Sequence, residues 1–177
     1  MASAEASSED GLAPGTLAVL RATPAVFEAL FGGQPEDVLD RRGVEGWSAK
    51  DVLAHVLSIQ QPAIVERVRL MVDGDVPSLP DVDEHVTLER SGLRGRPARE
   101  LLQKFTEERA QAMAFLEALK PDQLRRRGRH ELAGEICAAD AIHHMAYHDL
   151  LHIAQAASLL AGPIERSRGA MRTAFPV

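Results

Sequence analysis

An all-α fold, a four-helix bundle with a long crossover between its second and third helices, is what this chain predicts. Three observations carry that expectation. Four segments place apolar residues at helical spacing, and no segment alternates apolar with polar as a half-buried strand would. Between the second and third segments lies a stretch, 73–96, holding Pro77, Pro80, Asp81, Asp83 and Glu84. A connection that long in a compact domain is either functional or a crossover, and the remaining helices pack most simply as a bundle.

The first helix is expected over about Thr16 to Phe31, with Leu17, Leu20, Phe27, Leu30 and Phe31 on its buried stripe and Gly32-Gly33 ending it. Pro24 lies inside and removes a donor, so the helix should kink there or restart with Thr23 as cap. The second helix opens on Ser48, with Asp51 three residues on in capping-box spacing and Trp47 as the apolar residue before the cap. Val52, Val56, Ile59, Val65 and Val68 carry it to about Met71, bent by Pro62. Pro97 opens the third helix, whose stripe Leu101, Phe105, Ala112, Phe115, Leu119 is interrupted by Glu108 and closed by Pro121. The fourth begins near Cys137, a weak cap followed by Asp140, and runs to Ala161 before Gly162-Pro163. Residues 1–12 read as a flexible polar leader, 13–163 as the bundle and 164–177 as a basic tail.

At 177 residues the chain suits one domain. Its 20 Lys+Arg against 26 Asp+Glu give a net charge of −6, short of the cationic surface that dominates nucleic-acid affinity, so no nucleic-acid partner is expected. The run Arg125-Arg126-Arg127-Gly128-Arg129 reads as solvated loop charge or as partners for helix C-terminal carbonyls. Cys137 is the single cysteine, which excludes an intrachain disulfide. No signal segment and no membrane-length apolar run is present, which makes the cytoplasm the default location.

Chemistry concentrates in the fourth helix, in His-His-Met-Ala-Tyr-His-Asp-Leu-Leu-His. His148 and His152 stand four residues apart, so on a helix both imidazoles project from one face, about 40° apart and one turn along. Such a pair can grip a divalent metal, and a third ligand should come from another element. His55, on the apolar side of the second helix with Val52 and Ile59, is that candidate, although taken alone a core histidine satisfied by a hydrogen bond is the stronger reading. Three neutral imidazoles would leave one position open for a water or a substrate atom, and all-imidazole ligation suits zinc or nickel.

Around this set, His144 could line the mouth of the site and His130 could swing over a pocket from a loop. Gln155, one turn past His152, could orient it. Arg109 could hold an anionic substrate, while Asp149 points about 100° away from His148 and suits a structural bond to a neighbouring helix. Leu150, Ile153, Ala157 and Leu160 form a second apolar stripe on the fourth helix, the basis for expecting a homodimer. Phosphate-loop, nucleophile-elbow and Cys-x-x-Cys signatures are missing.

Taken together, Thr23-Pro24, Trp47-Ser48, Ala54-His55, Pro80-Asp81, Phe105 with Arg109, Gly134 and His148-Asp149-Leu150-Leu151-His152-Ile153-Ala154-Gln155 resemble the DinB/YfiT-like metalloenzyme family over about Leu17 to Gly162. That resemblance implies an up-down-down-up bundle, commonly dimeric, with a divalent metal on His55, His148 and His152. It also implies small-molecule chemistry, a hydrolase or an S-transferase that uses a low-molecular-weight thiol. A Ser or Thr commonly caps the last helix of the family where this chain has Cys137. A non-catalytic bundle that keeps the metal as a clip or ligand pocket is the alternative.

Overall fold

The structure is a computed structural model and describes residues 11–174. Most of the expected leader therefore lies outside the described residues. In chain order come α1 (Thr16–Phe31), α2 (Glu36–Leu39), α3 (Ala49–Ile59), a π-helical segment (Gln60–Val65), α4 (Glu66–Asp73), β1 (Ser78–Leu79) and α5 (Glu84–Ser91). A 3₁₀ turn (Leu93–Gly95) leads to α6 (Ala98–Glu117), then α7 (Pro121–Leu124), β2 (Arg127–His130), β3 (Gly134–Cys137), α8 (Ala138–Arg166) and α9 (Met171–Ala174). The bundle consists of α1, the composite α3–α4, α6 and α8.

Side-chain pairs give the directions. Arg21 meets Glu117 and Phe27 meets Phe105, so α1 and α6 run antiparallel. Ala13 meets His143 and Thr23 meets Asp149, so α1 and α8 run parallel. Gln60 meets Arg109 and Arg69 lies over Phe115, so the composite helix and α6 are parallel. The order is up-down-down-up, with the crossover supplying the parallel middle pair.

Pro24 does not restart α1, which runs through it unbroken. The missing Pro24 N–H leaves the Leu20 carbonyl without its helical donor, and Arg109 Nη1 takes that carbonyl at 3.0 Å. Arg109 is 2% exposed, and its Nε donates to Gln60 Oε1 at 2.5 Å. Its two Nη atoms donate to Asp149, Nη1 to Oδ2 at 2.5 Å and Nη2 to Oδ1 at 3.1 Å. Thr23 Oγ1 donates to Asp149 Oδ2 at 2.7 Å. One buried ion pair thus ties α1, the π segment, α6 and α8 together. Arg109, a candidate in the sequence for holding an anionic substrate, spends four of its five N–H donors on these buried partners. Asp149 has the structural role its position indicated.

Ser48 caps α3 as anticipated, with its Oγ accepting from Asp51 N–H and Asp51 Oδ2 accepting from Ser48 N–H, both at 3.0 Å. The bend expected at Pro62 is a π segment, whose wider turn absorbs the proline without ending the helix. On α8 the helix continues through Pro163 to Arg166. A proline costs little there, where the carbonyl it orphans lies within the last turns and near solvent. Of the second apolar stripe only Leu150 is exposed; Ile153 and Leu160 are partly buried against the core, and Tyr147 and Leu151 are exposed beside it on α8.

Three strands overturn the expectation of none. The β2–β3 hairpin is antiparallel, pairing Arg127 with Cys137 and His130 with Gly134, and β1 joins β2 in parallel. Strands this short, one reading Arg-Gly-Arg-His, carry no usable alternation; their pairing is decided by what they pack on. Gly128 marks the contact, since a Cβ there would lie 2.6 Å from Leu79 Cδ1 and 2.8 Å from Met71 Cγ, both in side chains with no exposure. Arg126 donates to the carbonyls of Met71 and Gly74 at the end of α4, the helix-terminus role foreseen for this basic run.

Two stability outcomes follow. Asp149→Ala, by stranding a buried guanidinium, should cost about 3–5 kcal/mol in denaturant unfolding, and pairing it with Arg109→Met should cost well under the sum of the two single changes. Gly128→Ala should cost about 1–3 kcal/mol by overpacking against Leu79 and Met71. A neutral result for either single substitution contradicts the packing described.

Candidate metal centre

The capping box fixes where α3 starts and therefore which way His55 faces, seven residues on from Ser48. On α8, Asp149 turned toward Arg109 sets the rotation that aims His148 and His152 at α3. The result is a close convergence. His55 Nε2 lies 3.3 Å from His148 Nε2, and His152 Nε2 lies 3.0 Å from the same atom. Ligating nitrogens of the three residues all fall within 4.8 Å of one another. Two nitrogens each about 2.0–2.1 Å from a tetrahedral ion stand about 3.3 Å apart, so the two short separations match those between ligands of one ion.

Protonation agrees with that use. Burial, with His152 the next cause, pushes the His55 imidazole down to about 4. Burial, then His152 and His55, pushes His148 down to about 3. Both rings are therefore neutral near pH 7, the form that can ligate. His152 Nδ1 lies 2.8 Å from Gln155 Oε1. An amide oxygen can only accept, so Nδ1 carries the proton and Nε2 turns its lone pair to the cluster. His55 Nδ1 is buried with no hydrogen-bond partner among the described residues. Its ring is held by packing, edge-on to Trp47 with centroids 5.4 Å apart.

These imidazole nitrogens cannot all be satisfied by sharing protons, because each N–H···N bond uses one donor and one acceptor and His148 Nε2 faces two neighbours. A cation accepting from all three resolves this, so the donor set fits a divalent metal.

Sequence reasoning missed Glu84. Its Oε2 lies 3.6 Å from His55 Nε2, delivered by the first turn of α5 in the crossover. No spacing pattern marks a carboxylate brought in by a loop. His85 shares that turn and stands edge-on to Trp47, with ring centroids 6.1 Å apart. His130 is not in a loop but ends β2, where its Nδ1 accepts from the Leu132 and Ala133 N–H groups at 3.2 and 3.3 Å. His144 is exposed, one turn before His148 with ring centroids 6.1 Å apart. Both His130 and His144 line a cavity of about 260 Å³. His143 faces elsewhere and accepts from Ala13 N–H. Buried Cys137 caps α8 in a capping box with Asp140, its backbone N–H donating to Asp140 Oδ2 at 2.8 Å.

A helical bundle enclosing three convergent imidazoles is the class of molecule that emerges. The chain belongs to the DinB superfamily, whose family model matches residues 19–156. Among solved structures it is similar to YfiT from Bacillus subtilis, described as a probable metal-dependent hydrolase with an unusual four-helix bundle topology. That likeness has a TM-score of 0.74 at 20% identity and covers 90% of this chain and 89% of the other. Comparison with curated proteins gives no match. No helix among the described residues is long and apolar enough to cross a membrane.

Acid should expose the buried imidazoles. An unfolded histidine titrates near 6.5, above the folded values of about 4 and about 3. Between those limits the unfolded chain binds more protons, so stability rises with pH across the window and is lost on acidification. The melting temperature of chelator-treated protein should fall as pH drops from 6.5 toward 4, and less steeply in His148→Ala. Parallel slopes for the two proteins would contradict the assignment.

Proposed function

We propose that this chain is a divalent-metal-dependent enzyme acting on a small molecule, with His55, His148 and His152 as the metal ligands. The reaction class is hydrolysis or thiol-dependent S-transfer. The observation that carries the reading is the convergence of three Nε2 atoms, two of whose separations are 3.3 and 3.0 Å, in rings that burial keeps neutral. Membership of the DinB superfamily and the likeness to a protein described as a metal-dependent hydrolase support it.

A bound zinc or nickel would act as a Lewis acid and make a water or a small thiol nucleophilic near neutral pH. This chain's own residues supply the rest. His55 and His148 are pre-set in the neutral form, so ligation demands no deprotonation at pH 7. Gln155 holds His152 in the tautomer that presents Nε2. Glu84, with its carboxylate beside the cluster, is placed to accept a proton from an incoming nucleophile. Trp47 and the crossover wall off one side and limit water.

Elemental analysis of the purified protein should find about one divalent ion per chain, and His148→Ala should lose most of it; full occupancy in the variant would remove the triad. The loaded protein should then consume an electrophile together with glutathione, bacillithiol or mycothiol, or hydrolyse one with water alone. If chelation lowers the melting temperature and no turnover appears with any of them, the metal is a structural clip.

A further inference from the structure

The cavity one turn along α8 from the cluster holds a cation that the metal reading does not use. Its walls are Ala63 and Ile64 of the π segment, Arg67 of α4, Ile136 of β3, Ala133 of the hairpin turn, and Ala141 and His144 of α8, with His130 beside Arg67. Only 13% of the Arg67 side chain is exposed. Its Nη2 donates to the Pro80 carbonyl at 2.8 Å, but Nε is buried with no hydrogen-bond partner among the described residues. An unmatched buried donor costs about 1–3 kcal/mol, more when charged. Asp81 compensates incompletely: its Oδ1 is 3.7 Å from Arg67 Nη2, beyond hydrogen-bond reach, and its side chain is 41% exposed at the rim. Burial pulls the Arg67 guanidinium below its usual range, against the opposing pull of Asp81 and Glu84.

His130 adds a second donor. Two backbone N–H groups point at its Nδ1 and can only donate, so the ring proton sits on Nε2. That Nε2 lies 3.9 Å from Asp81 Oδ1, again too far to be satisfied by it. A guanidinium and an imidazole N–H therefore flank Asp81 at one end of a chamber otherwise walled by Ala, Ile and His144. About 260 Å³ holds roughly eight or nine waters, or one small organic acid.

We propose that this cavity is the substrate subsite of the metal centre and binds a small carboxylate with an apolar body, its anionic head on Arg67 and His130 and its body against Ile64, Ile136 and Ala141. The subsite rests on the metal reading for its role in turnover but not for its ability to bind. It deepens that reading by naming the substrate class, and places the substrate beside His144, one turn from His148.

Benzoate, with neutral benzamide as its isostere, tests the assignment by calorimetric titration of the full chain with and without metal. Benzoate should bind at least tenfold tighter than benzamide in both forms, and Arg67→Met should remove at least tenfold of that affinity. Ala133→Phe, built from an exposed hairpin position so that folding is spared, should fill the chamber and weaken benzoate to a similar extent. Equal affinity for the two probes, or full benzoate affinity in Arg67→Met or Ala133→Phe, overturns the subsite. Benzoate binding that vanishes with the metal yet survives Arg67→Met is coordination to the ion; it overturns the subsite and leaves the metal centre standing. Arg67-dependent binding in a protein that takes up no metal supports the subsite and sinks the metal reading instead.

Discussion

The buried Arg109–Asp149 pair is the constraint around which this bundle is organised. A desolvated ion pair is favourable only when its remaining donors and acceptors are met. Here Gln60, the Leu20 carbonyl and Thr23 meet them, and each comes from a different helix than its partner. The carbonyl is available because Pro24 cannot donate to it, so a residue that ordinarily damages a helix makes the acceptor the arginine needs. Asp149 directly follows His148. Holding the aspartate toward α6 turns the preceding imidazole toward α3, so the network that closes the core also sets the angle of the metal ligands.

Division of labour around the site follows from element type. Ligands sit on the long helices α3 and α8, which hold side-chain geometry closely, while the crossover and hairpin bring adjustable surroundings. Glu84 and His85 arrive on α5, and Asp51, the capping residue of α3, is flanked by Arg94 from the crossover and by Arg42. The start of the ligand helix and the loop covering it are thereby tied to one carboxylate. At the other end the hairpin supplies His130 and closes the chamber beside His144.

Much of this was legible in the chain. Helical periodicity located the bundle helices, and the Ser48–Asp51 box fixed one start to the residue. The i, i+4 histidines announced a shared face, because helix geometry converts spacing directly into direction. His55 was reachable by elimination as the histidine on an apolar face. Gln155 followed from the same arithmetic. Arg109 shows the limit: its residue type signals charge, and only the packed bundle reveals that a partner consumes it. Glu84 and the β1–β2 pairing left no periodic trace, since their partners lie far away along the chain, while the β2–β3 hairpin is local but too short and polar to show alternation.

What the sequence settled alone is therefore whatever depends on neighbours within a few turns: helix positions, caps, and which side chains share a face. Tertiary structure decided what depends on contacts distant in sequence. It determined that three imidazoles meet at one point, that the proline in α1 frees an acceptor, and that a polar Arg-Gly-Arg-His stretch becomes a strand against Met71 and Leu79. The physical reason is range. Backbone hydrogen bonding and helical pitch act locally and can be read residue by residue, whereas burial, desolvation and ion pairing acquire their sign only once the helices are packed together.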